Sequence, residues 1–213
     1  MRRISLTGVW GILKVNFLLA VKTNFLLAAA YLLTIPLVRG IANLDMVHSA
    51  ECLEQSVTLI GIFLMVSLNM PEQSKAIQEV VYTRIISHWK ILLLRFAMST
   101  LLLIMMTGLF CGVMIWNNCT FPFFAYATGT VISAMALGSL GLAVSLWSNS
   151  CIVGYLVSAG YFLLNSMGNV SEESIFYLFS MGKGNYMIKL YLLGWSLLMV
   201  VISLIYVEKK RDC

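Results

Sequence analysis

Few residues in this chain have types and spacings that could do chemistry. Its 213 residues hold two histidines, five cysteines and nine acids. His48 and His88 lie on opposite sides of the membrane in the topology derived below, so they do not share a metal. The cysteines (Cys52, Cys111, Cys119, Cys151, Cys213) make no CxxC pair and no Cys/His cluster. Several fall in apolar runs, where cysteine acts as a small hydrophobe. No GxxxxGK[ST], HExxH or GxSxG occurs, which removes the phosphate-cradling loop, the helical zinc pair and the nucleophile elbow. The chain is therefore expected not to be an enzyme and to hold no cofactor or metal. Arg39 and Lys189 stand near span ends and are expected to snorkel. The span centres read as free of ionisable groups, which are the usual mark of a proton or ion relay. Uphill transport would then draw its energy from another polypeptide.

The elements that must position these residues are set by composition. Hydrophobic residues make up 60% and charged residues 11% of the chain, and the mean hydropathy is +0.90. A soluble domain has about 25% charged residues, so the solvent of this chain is lipid. The formal net charge of +5 fits Lys and Arg gathered in cytoplasmic loops rather than nucleic-acid binding. Crossing a bilayer takes about 20 mostly apolar residues. Six segments approach that: 24–43, 53–70, 91–116, 122–147, 151–167 and 187–207. The expected fold is an all-α integral membrane domain over 1–213. An amphipathic helix at 1–22 precedes the spans, with Leu6, Val9, Trp10, Leu13 and Phe17 on one side and Lys14 and Lys22 on the other. The apolar run continues past Ala28-Ala29-Ala30, which argues against a cleaved signal peptide.

With the N-terminus inside, eleven of the fourteen Lys and Arg residues are cytoplasmic. Arg39, Lys183 and Lys189 remain outside. This predicts N-in, C-in and six spans. Trp116 and Trp147 are placed as interfacial anchors. Pro36 predicts a kink in the first span, and Pro122 starts the fourth. The small residues of the fourth and fifth spans, such as Gly129, Gly138, Gly141, Gly154 and Ser158, predict close helix packing. A polar pathway would run past Ser67, Asn69, Ser158 and Asn165.

Two connections stand out. The linker 71–90 opens on Pro71 and Glu72, a favourable helix start. Glu72, Lys75 and Glu79 alternate with Ala76, Ile77, Val80 and Val81 at helical spacing, which predicts a short amphipathic helix outside the membrane. It reads as a docking element for a soluble partner. On the other side, Ser171-Glu172-Glu173 looks like a helix N-terminus. Ile175, Phe176, Leu178, Phe179 and Met181 follow, and Gly182 and Gly184 end the run. A re-entrant or interfacial helix is expected there within a hairpin at 168–186. Glu172-Glu173 suggests the paired glutamates of an intramembrane protease. That reading is disfavoured, because Tyr177 stands where its arginine would be and no histidine follows in a span.

In layout, and in the run from Phe63 to Gln73 and on through Lys90 to Arg95, the chain resembles the membrane subunits of ABC-2 type exporters. Glu72, Glu79, Ser87 and Lys90 match the family's loose pattern after the second span, while its Gly-Thr is replaced near Ala76-Ile77. The resemblance implies an elbow helix at 1–22 and a coupling helix seated in an ATPase subunit. That helix would use Pro71, Glu72, Gln73, Lys75, Ala76, Ile77, Glu79, Val80, Tyr82 and Arg84. Two ATPase copies would hold ATP and Mg. A second permease copy, identical or a sister, would complete the pore. The second and fifth spans would line the path, with Phe63 and Phe162 beside the polar residues named above. An amphipathic cargo (peptide or bacteriocin, lipid or drug) would cross a bacterial plasma membrane. The rival reading is a non-transporting membrane immunity or scaffold protein.

Overall fold

The computed structural model describes residues 16–73, 88–168, 170–171 and 174–211. All regular elements among them are helical. Helix α1 is Lys22–Arg39 (18 residues), entered through a π-turn at Phe17–Val21. It runs through Pro36 and stops at Arg39, where Gly40 takes φ +68°. The second rod is composite. Helix α2, Met46–Gln55, is capped by Asp45, whose carboxylate accepts from the His48 N–H. A 3₁₀ turn at Val57–Leu59 leads to α3, Ile60–Met65, and a 3₁₀ run continues over Val66–Gln73. Then come α4 (His88–Trp116), α5 (Phe123–Ser148), α6 (Cys151–Ser166) and α7 (Tyr186–Arg211).

Four rods are long and apolar enough to cross a membrane: Met46–Met70, Trp89–Trp116, Phe123–Ser148 and Tyr186–Lys209. By length and composition these rods mark a membrane protein, and among the described residues every regular element is helical. Helix α1 is shorter than the 24–43 segment expected from sequence and includes both Lys22 and Arg39. Helix α6, at 16 residues, is also shorter than those four rods. Residues 1–15 of the expected elbow helix lie outside the described residues.

The composite second rod and α5 form the centre of the bundle, 78% and 72% buried over their most apolar windows, against 28% for α7. Small residues make this centre possible, as the sequence predicts. A Cβ on Gly138 would sit 2.6 Å from the Gly61 carbonyl oxygen. One on Gly154 would sit 2.5 Å from the Gly141 carbonyl oxygen and 2.9 Å from the Val66 side chain. In lipid such close approach, rather than apolar burial, holds helices together. Helices α5 and α6 are joined by a tight turn in which Asn149 takes the left-handed conformation, φ 54°. At the other end, Asn43 and Thr120 donate across to the Asn117 and Leu44 carbonyls. The segments 40–45 and 117–122 therefore meet at one end of the bundle. Trp116 is 88% exposed at that end, and Trp147 is half-exposed near the other.

Candidate functional site

The segment after α6 does not form the helix expected over Ile175–Met181. Residues 174–180 are a chain of turns, with a short 3₁₀ turn at Met181–Lys183. Local apolar content favours a helix, but the side chains point to different needs. Leu178 and Met181 are fully buried in the bundle, while Ile175 and Phe176 stay exposed. Burial of irregular backbone leaves N–H and C=O groups without helical partners, and each must be paired elsewhere.

A buried ion pair does the pairing. Glu54 of α2 and Lys189 of α7 meet at 2.6 Å, each about 2% exposed. The Lys189 ammonium donates to Glu54 Oε1, to Ser133 Oγ of α5 and to the Leu178 carbonyl, each at 2.6 Å. An ammonium has three protons, so all are spent inside the chain. Glu54 Oε1 also accepts from the Met181 N–H at 3.0 Å, and the Gly182 N–H hydrogen-bonds the same carboxylate. Ser133 Oγ donates to the Leu178 carbonyl, and Asn165 Oδ1 accepts from the Leu178 N–H. Two charged side chains thus serve as the solvent of one loop and tie three rods to it.

This corrects the expectation that Lys189 snorkels. Its place near the start of α7 would allow it, but Glu54 lies one helix away with the opposite charge. Both charges sit in membrane-length rods near the loop end of the bundle. Sequence alone carried one signal, the opposite charges of Glu54 and Lys189. What it lacked was the rod that faces it. Arg39, by contrast, is exposed and donates to the Glu51 carbonyl and the Gln55 side chain.

Two clefts flank the loop. One, about 510 Å³, is lined by Ala125, Thr128, Gly129, Asn185 and Tyr186, with Lys189 in its wall. The other, about 650 Å³, is bounded by Met46, Thr120, Pro122, Tyr126 and Met181. The candidate pathway residues line neither. Ser67 and Asn69 are buried on the 3₁₀ run, where Ser67 donates to the Phe63 carbonyl and shares a hydrogen bond with Tyr155. Phe63 rests against Tyr31, with ring centroids 5.4 Å apart. Ser158 is buried and donates to the Leu137 carbonyl at 3.1 Å. Phe162 meets Phe179 edge to face. Asn165 also donates to the Tyr161 carbonyl. Ser158 thus pins α6 to α5, and Asn165 pins α6 to the loop.

Of the expected coupling helix, Pro71, Glu72 and Gln73 continue the 3₁₀ run rather than starting a new helix. Lys75, Ala76, Ile77, Glu79, Val80, Tyr82 and Arg84 lie outside the described residues. At the foot of the second rod, Arg95 of α4 is buried. It donates to Asn16 Oδ1 at 2.8 Å and to the Leu68 carbonyl at 3.1 Å.

The loop anchor can be tested alone. Asn165→Leu keeps the volume but removes the acceptor for the buried Leu178 N–H. A loss of about 1–3 kcal/mol is expected, read by thermal unfolding in detergent, with earlier proteolysis between 170 and 185. Unchanged proteolysis would show that Asn165 does not hold the loop.

No family model, curated protein or solved structure matches the chain.

Proposed function

We propose that this chain is the membrane subunit of an ABC-2 type exporter in a bacterial plasma membrane. On this reading six rods span, both termini are cytoplasmic, and residues 1–22 form an elbow helix on the inner surface. The observation that carries it is the placement of the long connections. One, 74–87, follows the second rod at the Arg95 end. The other, 167–185, precedes the last rod at the Glu54 end. The remaining turn at the Arg95 end is Ser148-Asn149-Ser150, too small to dock anything. Between the rods, one end thus offers 74–87 as its long connection for a soluble partner, and the other offers a folded loop beside two clefts.

Energetics support the same reading. Lys189 spends its three protons on Glu54, Ser133 and the Leu178 carbonyl, and Glu54 also accepts from loop backbone, so this pair reads as a clamp rather than a relay. Driving force would enter through 71–90 from an ATPase subunit that holds ATP and Mg, with two copies serving two permease chains. The cargo would be amphipathic, a peptide, lipid or drug, matched to an interior that is apolar with scattered hydroxyls and amides.

Gentle affinity purification from the native membrane tests the class. A stoichiometric ATPase carrying GxxxxGK[ST] is the expected companion. Its absence, under conditions that keep a known permease and its ATPase together, would favour a non-transporting immunity or scaffold protein. Glu79→Lys should insert normally and lose the ATPase. Retention of the ATPase by that variant would count against docking through 71–90.

A further inference from the structure

The cleft that has Lys189 in its wall is mostly apolar. It lies between α5 and α7, against the Gly184-Asn185 corner of the loop, and holds about 510 Å³. On α5 its wall is Ala125, Thr128, Gly129 and Ile132, the three- and four-residue spacing of one helix face. On α7 its wall includes Met187 and Leu190, 69% and 62% exposed. The polar groups of the walls are already used. Lys189 spends its protons on Glu54, Ser133 and the Leu178 carbonyl. The Thr128 hydroxyl bonds to the Phe124 and Ala125 carbonyls of its own rod. Two polar side chains are left over, Asn185 and Tyr186, where the loop enters α7. Both residues are exposed, and neither side chain has a hydrogen bond among the described residues.

We propose that this cleft holds one phospholipid of the surrounding leaflet as a resident part of the molecule. An acyl chain lies along 125–132 of α5, and the phosphate sits at Asn185 and Tyr186. Depth decides the class of ligand. Helices α5 and α7 are membrane-length rods, and the cleft lies where both begin, at Phe123 and Tyr186. Over 125–132 it follows about 10 Å of α5, against about 15 Å of hydrocarbon in one leaflet. Its mouth thus stands at the level of lipid headgroups and its floor at the level of acyl chains. An ionic or sugar ligand would find no unspent polar side chain below the mouth. A phosphodiester accepts hydrogen bonds, and the Tyr186 hydroxyl and Asn185 amide supply donors, which its charge strengthens. The lipid would touch the loop as well as the rods, because Gly184 and Asn185 line the cleft. Its binding would therefore favour the folded loop. None of this rests on the exporter reading, and the test involves no ATPase.

The test uses the full chain, delipidated in a mild detergent and titrated with dioleoylphosphatidylglycerol, with native mass spectrometry counting the lipids bound. In the native chain one lipid should bind in a saturable step, ahead of all others. Thr128→Phe, at an exposed cleft position, should abolish that step. If that variant does not fold, Met187→Trp fills the cleft from the opposite rod and should do the same. Gly108→Leu, in the open groove of α4, should leave the step intact. Asn185→Ala with Tyr186→Phe should weaken it about tenfold, as expected for lost hydrogen bonds to a charged group. Dioleoylglycerol, which lacks the phosphate, should show no such step. Three results would overturn the proposal: a native chain with no saturable first lipid, a step that survives filling of the cleft, or equal binding of dioleoylglycerol.

Discussion

Lys189→Met should destabilise the protein by about 3–5 kcal/mol, because it leaves the Glu54 carboxylate buried without its cation. The second-site variants carry more information. Replacing a buried ion pair by apolar groups is often neutral or stabilising. Here it should not be, because the pair satisfies backbone. Glu54→Leu with Lys189→Met removes both charges but strands the Met181 and Gly182 N–H groups and weakens the pairing of the Leu178 carbonyl. That double variant should stay as unstable as Lys189→Met. Glu54→Gln with Lys189→Met keeps an acceptor and adds an amide donor at the same place. It should recover at least half of the loss. Denaturant unfolding in detergent micelles distinguishes the three, and a stable Glu54→Leu/Lys189→Met variant would show that the loop does not need the pair.

Gly154→Leu should be among the most damaging changes at a small residue. Even its Cβ would press on the Gly141 carbonyl oxygen at 2.5 Å and on the Ser145 Cβ and Val66 Cγ1 at 2.9 Å. The first of these is backbone and cannot turn aside, so α5 and α6 must part along their length. A loss of about 3 kcal/mol or more is expected, at or beyond the upper end of ordinary overpacking. Gly160, two turns further along α6, has no atom within 4 Å of its would-be Cβ. Gly160→Ala should therefore be neutral. Thermal unfolding of the pair checks the argument, and equal effects would place the α5–α6 seam elsewhere.

Much of the fold was legible in the sequence because the bilayer imposes one strong rule. Apolar length placed the four long rods within a few residues at their ends, apart from the start of the second rod. The small residues announced the tight seam. Two features were not legible, for a shared reason. The turns at 174–180 exist because Leu178 and Met181 reach a bundle centre that only the folded chain creates. Likewise the burial of Lys189 follows from Glu54, 135 residues earlier in sequence. Neither is encoded in local spacing. Pro71 was read as a helix start, a role that proline often fills at the first turn. The 3₁₀ run that follows α3 takes it up instead. Ser158 and Asn165 stood out by their polarity, and in the structure that polarity is spent on the Leu137 carbonyl and the Leu178 N–H.

Helix α6 has 16 residues and so measures about 24 Å, against a hydrocarbon thickness of about 30 Å. On the six-span reading it falls short by about 6 Å, next to neighbours that do not. The membrane around this molecule would then be uneven, thinned along the α6 side. Hydrophobic mismatch of this kind costs fractions of a kcal/mol per ångström. Over that shortfall the cost is enough to give the protein a preference among lipids. Short acyl chains would suit the α6 side and long ones would press on the loop that follows it. The thickness of the host bilayer thereby becomes a physical input to the end of the molecule where Glu54 and Lys189 hold the loop in place.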